Sequence, residues 1–230
     1  MLKKILSIFG LAIVPLFSCH AQTAKDIFGN KDYTVTWYGI DYSHSKVIGK
    51  VDAFGVKTPI TAEELRDRYY SEWNYLILDE PDKFNIAEMI SRKSVVKDIT
   101  IVKRLNAAAS LDSIEAKITP YYTPQEIQKF VSAYPIENKA GIGLVFITES
   151  MNKTTTEAYY HVVFFKMDTK EILLQERLKG TAGGSGTRNY WAGSYYNVME
   201  YIKDAGYQKW KKTYGPANSP NTPNPNAPKW

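Results

Sequence analysis

Gly180, Gly183, Gly184 and Gly186 fall within seven residues and are followed by Arg188 and Asn189. Glycines at the mouth of a helix let an anion approach backbone N–H groups, and an arginine adds a bidentate donor. Gly183, Gly184, Gly186, Arg188 and Asn189 therefore form the candidate ligand-binding set, suited to a small molecule, an anion or a glycan. The phosphate-loop pattern ends in Gly-Lys-Ser or Gly-Lys-Thr, and neither is present. Gly184 and Gly186 supply the first two glycines of a dinucleotide fingerprint, but Asn189 holds the third place. The same glycines also suit a sharp turn and close approach of a helix to a sheet, with Thr187 or Asn189 as the helix cap. That structural reading is the one adopted here, with anion binding as the alternative.

Other residues with chemical potential are sparse. His161 lies inside "YYHVVFF", where a strand residue with a local hydrogen bond is expected rather than a base. His44 follows Asp41 and Ser43, but three residue types in a row are not a triad, which is a geometry in space. Asp79, Glu80 and Asp82 could serve a hard cation or acid–base work, yet they lack calcium-loop spacing and suit the end of a helix at Pro81. No catalytic residue, metal site or cofactor is assigned, and the chain is expected not to be an enzyme.

Aromatic residues are the more unusual feature, with 17 tyrosines and five tryptophans. They crowd two helical stretches, one around Tyr69, Tyr70, Trp73 and Tyr75, the other from Tyr190 to Tyr214. A helix resting on one sheet cannot bury rings on all its sides. Some rings should therefore stay exposed, and Trp73, Tyr207 and Trp210 are the expected partner-contact residues.

The elements that would position these residues follow from periodicity and turn signals. Asp32 to Ser43 has strand composition, with Gly39 at a bulge. Lys46 to Gly55 reads as a short strand or a loop. Thr61 with Glu64, and Thr123 with Glu126, fit capping boxes, the second with Pro124 at the first helical position. Their helices end at Pro81 and Pro135. Asp82 to Arg92 is expected to be a short helix and Val95 to Arg104 a strand, while Leu105 to Tyr122 carries no assignment. Gly141 to Ser150, Ala158 to Met167 and Glu171 to Gly180 are three strands with short links, which forces antiparallel pairing. A helix from Tyr190 to Tyr214 follows. The expected fold is α/β of the α+β kind: a mixed sheet containing a C-terminal three-stranded antiparallel meander, with helices packed on it.

Both ends of the chain read differently from its middle. Lys3 and Lys4 precede the apolar run Ile5 to Phe17, the form of an export signal and too short to span a bilayer. Cleavage after Ala21 leaves Gln22 first; the alternative, through "LFSC", lipidates Cys19. Lys25 to Asn30 reads as an exposed leader. Residues 22–215 should form one domain, and Pro216 to Trp230, with five prolines, a disordered tail. The net charge of +5 falls to +3 once Lys3 and Lys4 are removed, since 27 basic residues then face 24 acidic ones. No basic run is present, so nucleic acid is not an expected partner. Cys19 is the only cysteine, so after cleavage at Ala21 the mature chain is expected to have no disulfide, thiolate metal site or cysteine nucleophile.

"DYTVTWYGIDYS", "WNYLILDEPDKFNI", "IGLVFITESMNK" and "GGSGTRNYWAGS" resemble a family of secreted or lipid-anchored proteins from Bacteroidetes whose motifs carry no known chemical role. More loosely, the last third is similar to the TolB N-terminal domain and the LpoB penicillin-binding-protein activator, in which strands joined by a turn precede a glycine and a long helix. The resemblance implies accessory work in the envelope without catalysis. The expectation is therefore an exported protein of the periplasm or exterior, or an outer-membrane lipoprotein, that binds an envelope protein or polymer through a Tyr- and Trp-rich surface. The alternative is a small-molecule, anion or glycan binder using the Gly183–Arg188 loop.

Overall fold

Strand β5 (Ile142–Asn152) organises the molecule. The computed structural model describes residues 22–29, 31–137 and 139–216; the expected export signal, Cys19 and the expected tail beyond Pro216 lie outside them. One edge of β5 pairs antiparallel along its whole length with β6 (Glu157–Lys166), and β6 pairs antiparallel with β7 (Ile172–Thr181). The expected meander is thus present. The other edge of β5 is shared by β1 (Val35–Asp41) and β2 (Lys46–Ile48), laid end to end and both parallel to it. The two-residue strands β3 (Val96–Lys97) and β4 (Glu115–Ala116) extend the sheet beside β1 and β2, again parallel. Among the described residues, four of the six strand pairings are therefore parallel. The meander forms only one side of a mixed sheet.

Helices cover both faces. Ahead of β1, α1 (Ala24–Gly29) buries Ile27 and Phe28, with the Phe28 ring against Tyr207, so this stretch is not an exposed leader. α2 (Ala62–Glu64), a π-helical turn (Leu65–Tyr69) and α3 (Tyr70–Asp79) follow one another directly. Thr61 accepts the N–H of Glu64, but the Glu64 carboxylate turns to Arg68, so only half of that capping box forms. α4 (Ile86–Met89) is shorter than the expected Asp82 to Arg92. α6 (Pro124–Ser132) has the full box: Thr123 Oγ1 accepts the Glu126 N–H, and Glu126 accepts the Thr123 N–H. α7 (Gly186–Tyr201), a second π-helical turn (Ile202–Gly206) and α8 (Tyr207–Tyr214) replace the single helix expected from Tyr190.

The expected strand from Val95 to Arg104 is corrected. Only Val96 and Lys97 pair with β1; Thr100–Ala107 is helix α5. Asp98 Oδ1 accepts the Thr100 N–H at 3.2 Å, and Ile101, Val102, Leu105 and Asn106 then fall on one helical face. In place of a longer neighbouring strand, two asparagines satisfy the outer edge of β1. Asn74 accepts the Ile40 N–H at 2.7 Å and donates to the Ile40 carbonyl, and Asn106 accepts the Tyr42 N–H at 2.7 Å. Asn74 comes this close because Gly39, at φ +98°, sits in a bulge where a Cβ would lie 2.5 Å from Asn74 Oδ1.

The aromatic residues are mostly internal. Trp73 is 0 % exposed, Tyr207 5 % and Trp210 2 %, so none of the three stands at a surface, and the expectation that they contact a partner is corrected. The physical reason is that α3 packs against β1, α5 and α7, and α8 against α1, so their rings meet protein on several sides. Trp73 packs against Tyr42 and Tyr70 and donates its Nε1–H to the Arg188 carbonyl at 2.9 Å. The opposite sheet face buries Tyr38, Val145, Ile147, Val163 and Phe165 under α5 and α6. β6 is apolar on both faces because both are covered.

Candidate functional site

The glycine loop is a clasp between β7 and α7. Gly183 donates its N–H to the Tyr190 carbonyl at 2.8 Å, and Ala182 donates to Thr156 at 2.7 Å. Thr187 is buried and accepts the Val56 N–H at 2.8 Å rather than capping the helix. Arg188 is exposed and donates to the side chain of its neighbour Asn189. A Cβ on Gly193 would lie 2.5 Å from the Gly183 carbonyl oxygen, and one on Gly184 3.0 Å from the Asn189 carbonyl oxygen. The glycines thus let the loop fold onto the first turns of α7, and the Gly183 amide that an anion would need is already bonded to the helix.

The other sequence candidates are engaged or scattered. His44 stacks on Phe130 with centroids 3.6 Å apart, and burial lowers its pKa. Asp41 accepts the Ser43 N–H and hydroxyl and the Tyr134 hydroxyl at 2.8 Å, so Ser43 points at Asp41 and not at His44. Asp79, Glu80 and Asp82 are exposed at the end of α3. Among the described residues no group of three His, Cys, Asp or Glu side chains is placed to hold a metal ion, and no helix is long and apolar enough to cross a membrane.

Cross-strand register assembles a network that no linear motif announces. His161 on β6 faces Ile147 on β5 and Arg177 on β7. Glu149, fully buried in the bulge of β5, accepts from His161 Nε2 at 3.0 Å, from Arg177 Nε at 3.0 Å and Nη2 at 2.5 Å, and from the Tyr122 N–H. Gln175 bonds the remaining ring nitrogen, His161 Nδ1, at 3.1 Å. With Gln175 donating to Nδ1, the imidazole donates through Nε2, and neither nitrogen is left for a substrate. Burial alone would raise the Glu149 pKa; the bonds from His161, Arg177 and Tyr122 outweigh it and hold the carboxyl below its usual value. The Arg177 guanidinium lies 3.9 Å from the Tyr159 ring centroid and 5.5 Å from that of Tyr121.

This network floors a groove of about 590 Å³ along the outer edge of β7, lined on one side by Tyr121, Pro124 and Gln128 and on the other by Tyr214. No strand among the described residues pairs with that edge. The Ala182 N–H to Thr156 carbonyl bond fixes the ladder phase. In the alternation that follows, Gln175, Arg177 and Lys179 turn their N–H and C=O groups away from β6 and toward the groove. The ends of the edge are closed by side chains. Gln128 accepts the Ile172 N–H and donates to the Lys170 carbonyl, and Asn197 donates to the Thr181 carbonyl. Tyr121 is 69 % exposed at the mouth. A second cavity, of about 290 Å³, lies between α3 and α5 around Arg66, Tyr70, Asn74, Lys103 and Asn106.

Compared with protein-family models, with curated proteins and with solved structures, the chain gives no match. Sequence reasoning missed the groove because β7 reads as an ordinary strand. The one linear signal is the cluster of polar residues Gln175, Glu176, Arg177 and Lys179, interrupted only by Leu178.

Proposed function

We propose that the protein is a non-enzymatic, exported cell-envelope protein that binds a macromolecular partner, taking an extended segment of it onto the open edge of β7. The carrying observation is the row of outward backbone groups at Gln175, Arg177 and Lys179, set in a groove between α6 and the end of α8. Strand addition draws affinity from such backbone groups and specificity from the flanking walls. Tyr121 and Tyr214 supply the exposed rings of those walls, in place of the buried tryptophans. The envelope setting rests on the export signal and on the likeness to TolB- and LpoB-type domains. The occupied nitrogens of His161 and the satisfied Glu149 favour binding over acid–base chemistry at this groove.

Lys179→Pro tests this reading. It removes one outward N–H that takes no part in the ladder to β6. A photo-cross-linking residue at Tyr121 should form an adduct with an envelope partner, and Lys179→Pro in the same protein should abolish it. Equal adduct yield in both, or labelling only from a control site at Tyr75, would overturn the assignment.

A further inference from the structure

Resting on the strand-docking reading, we propose that the docked segment places a lysine or arginine opposite Glu176, with apolar residues two positions to either side. Glu176 lines the groove, is half-buried, and has no hydrogen-bond or ion-pair partner among the described residues. The other charged side chains of β7 are matched: Arg177 by Glu149 and Lys179 by Glu157 at 2.6 Å. The edge therefore offers a single uncompensated charge, and it is negative. Covering it with an apolar or acidic segment would bury a carboxylate without a counter-charge, whereas a cation would satisfy it.

The backbone sharpens the match. Glu176 faces Val162 across a hydrogen-bonded pair of the β6–β7 ladder, so on the outer edge it occupies a non-hydrogen-bonded position. Facing side chains approach most closely at such positions in an antiparallel pair, about 4.5–5.5 Å between Cβ atoms. Leu174 and Leu178 lie two residues to either side of Glu176 on the same face, which calls for apolar residues at the matching places. The same carboxylate discourages a second copy of this chain. The self-pairing that sets Leu174 against Leu178 of the other copy, and Gln175 against its Arg177, puts the two Glu176 side chains face to face.

Two synthetic peptides, acetyl-TTVTKTVTT-amide and its twin with Glu at the centre, test the inference by NMR titration at low salt. The Lys peptide should bind the wild-type protein about tenfold more tightly than the Glu peptide. Glu176→Gln should remove the preference, Glu176→Lys should reverse it, and Lys179→Pro should abolish binding of both. Equal binding of the two peptides, lost in Lys179→Pro, would overturn the charge assignment while leaving strand docking intact. Binding that survives Lys179→Pro, or no binding of either peptide, would overturn strand docking and the inference with it.

Discussion

At its C-terminal end β7 runs into the clasp with α7, where the Gly183 N–H, the Thr187 hydroxyl and the Arg188 carbonyl are all taken by other parts of the protein. Along its middle, the same strand turns the backbone groups of Gln175, Arg177 and Lys179 to open space. The first region is rich in glycine because backbone meets backbone there. The second keeps its side chains, and no strand among the described residues pairs with its edge. Glycine density here reports packing, while capacity to bind follows from hydrogen-bonding groups that nothing else uses.

The largest effect should come from filling the clasp. A Cβ on Gly180 would overlap the Ser194 carbonyl oxygen of α7, so Gly180→Ala should cost more than about 3 kcal/mol in urea unfolding. Wild-type stability in that variant would mean the clasp is not tight. Next, Arg177→Ala removes the main counter-charge of a buried carboxylate and should cost about 2 kcal/mol, since Arg177 is itself partly exposed. Glu149 titrates below its unfolded value, so its contribution is complete above about pH 4.3 and is lost as the pH falls through the folded value. Glu149→Gln should accordingly flatten the acid limb of the stability curve; an unchanged limb would place the acid sensitivity elsewhere. Lys179→Pro should shift the urea midpoint less than Arg177→Ala, because its ion pair is exposed and its N–H points away from β6, yet it should remove strand binding. Smallest of all, Arg188→Ala should stay within about 0.5 kcal/mol, and added phosphate should leave the Tm of both forms unchanged. A wild-type shift lost in that variant would restore the anion-binding reading.

Much of the fold was legible where the signal is local. The Thr123–Glu126 capping box with Pro124, the bulge at Gly39 and the three-stranded meander all follow from neighbouring residues. Val95 to Arg104 reads as a strand because alternation and helical spacing coincide over so short a run; Asp98 and the later Leu105 and Asn106 decide for a helix over Thr100–Ala107. The sharing of one β5 edge by β1 and β2 could not be read, since it joins segments about a hundred residues apart through parallel pairing. The tryptophans were misplaced because composition does not reveal how many neighbours a helix has. Glu149, His161, Gln175 and Arg177 were each visible as polar residues in apolar strands, but only the register brings them together.

Amide hydrogen exchange, followed residue by residue in β7 with and without the Lys-centred strand peptide, is the most direct test. In the free protein the amides of Leu174, Glu176 and Leu178, bonded to β6, should be protected, while those of Gln175, Arg177 and Lys179 exchange quickly. Added peptide should slow those three and leave Gly183 to Asn189 unchanged. Protection of all six before any peptide is added, or slowing confined to the glycine loop, would contradict an open, strand-accepting edge.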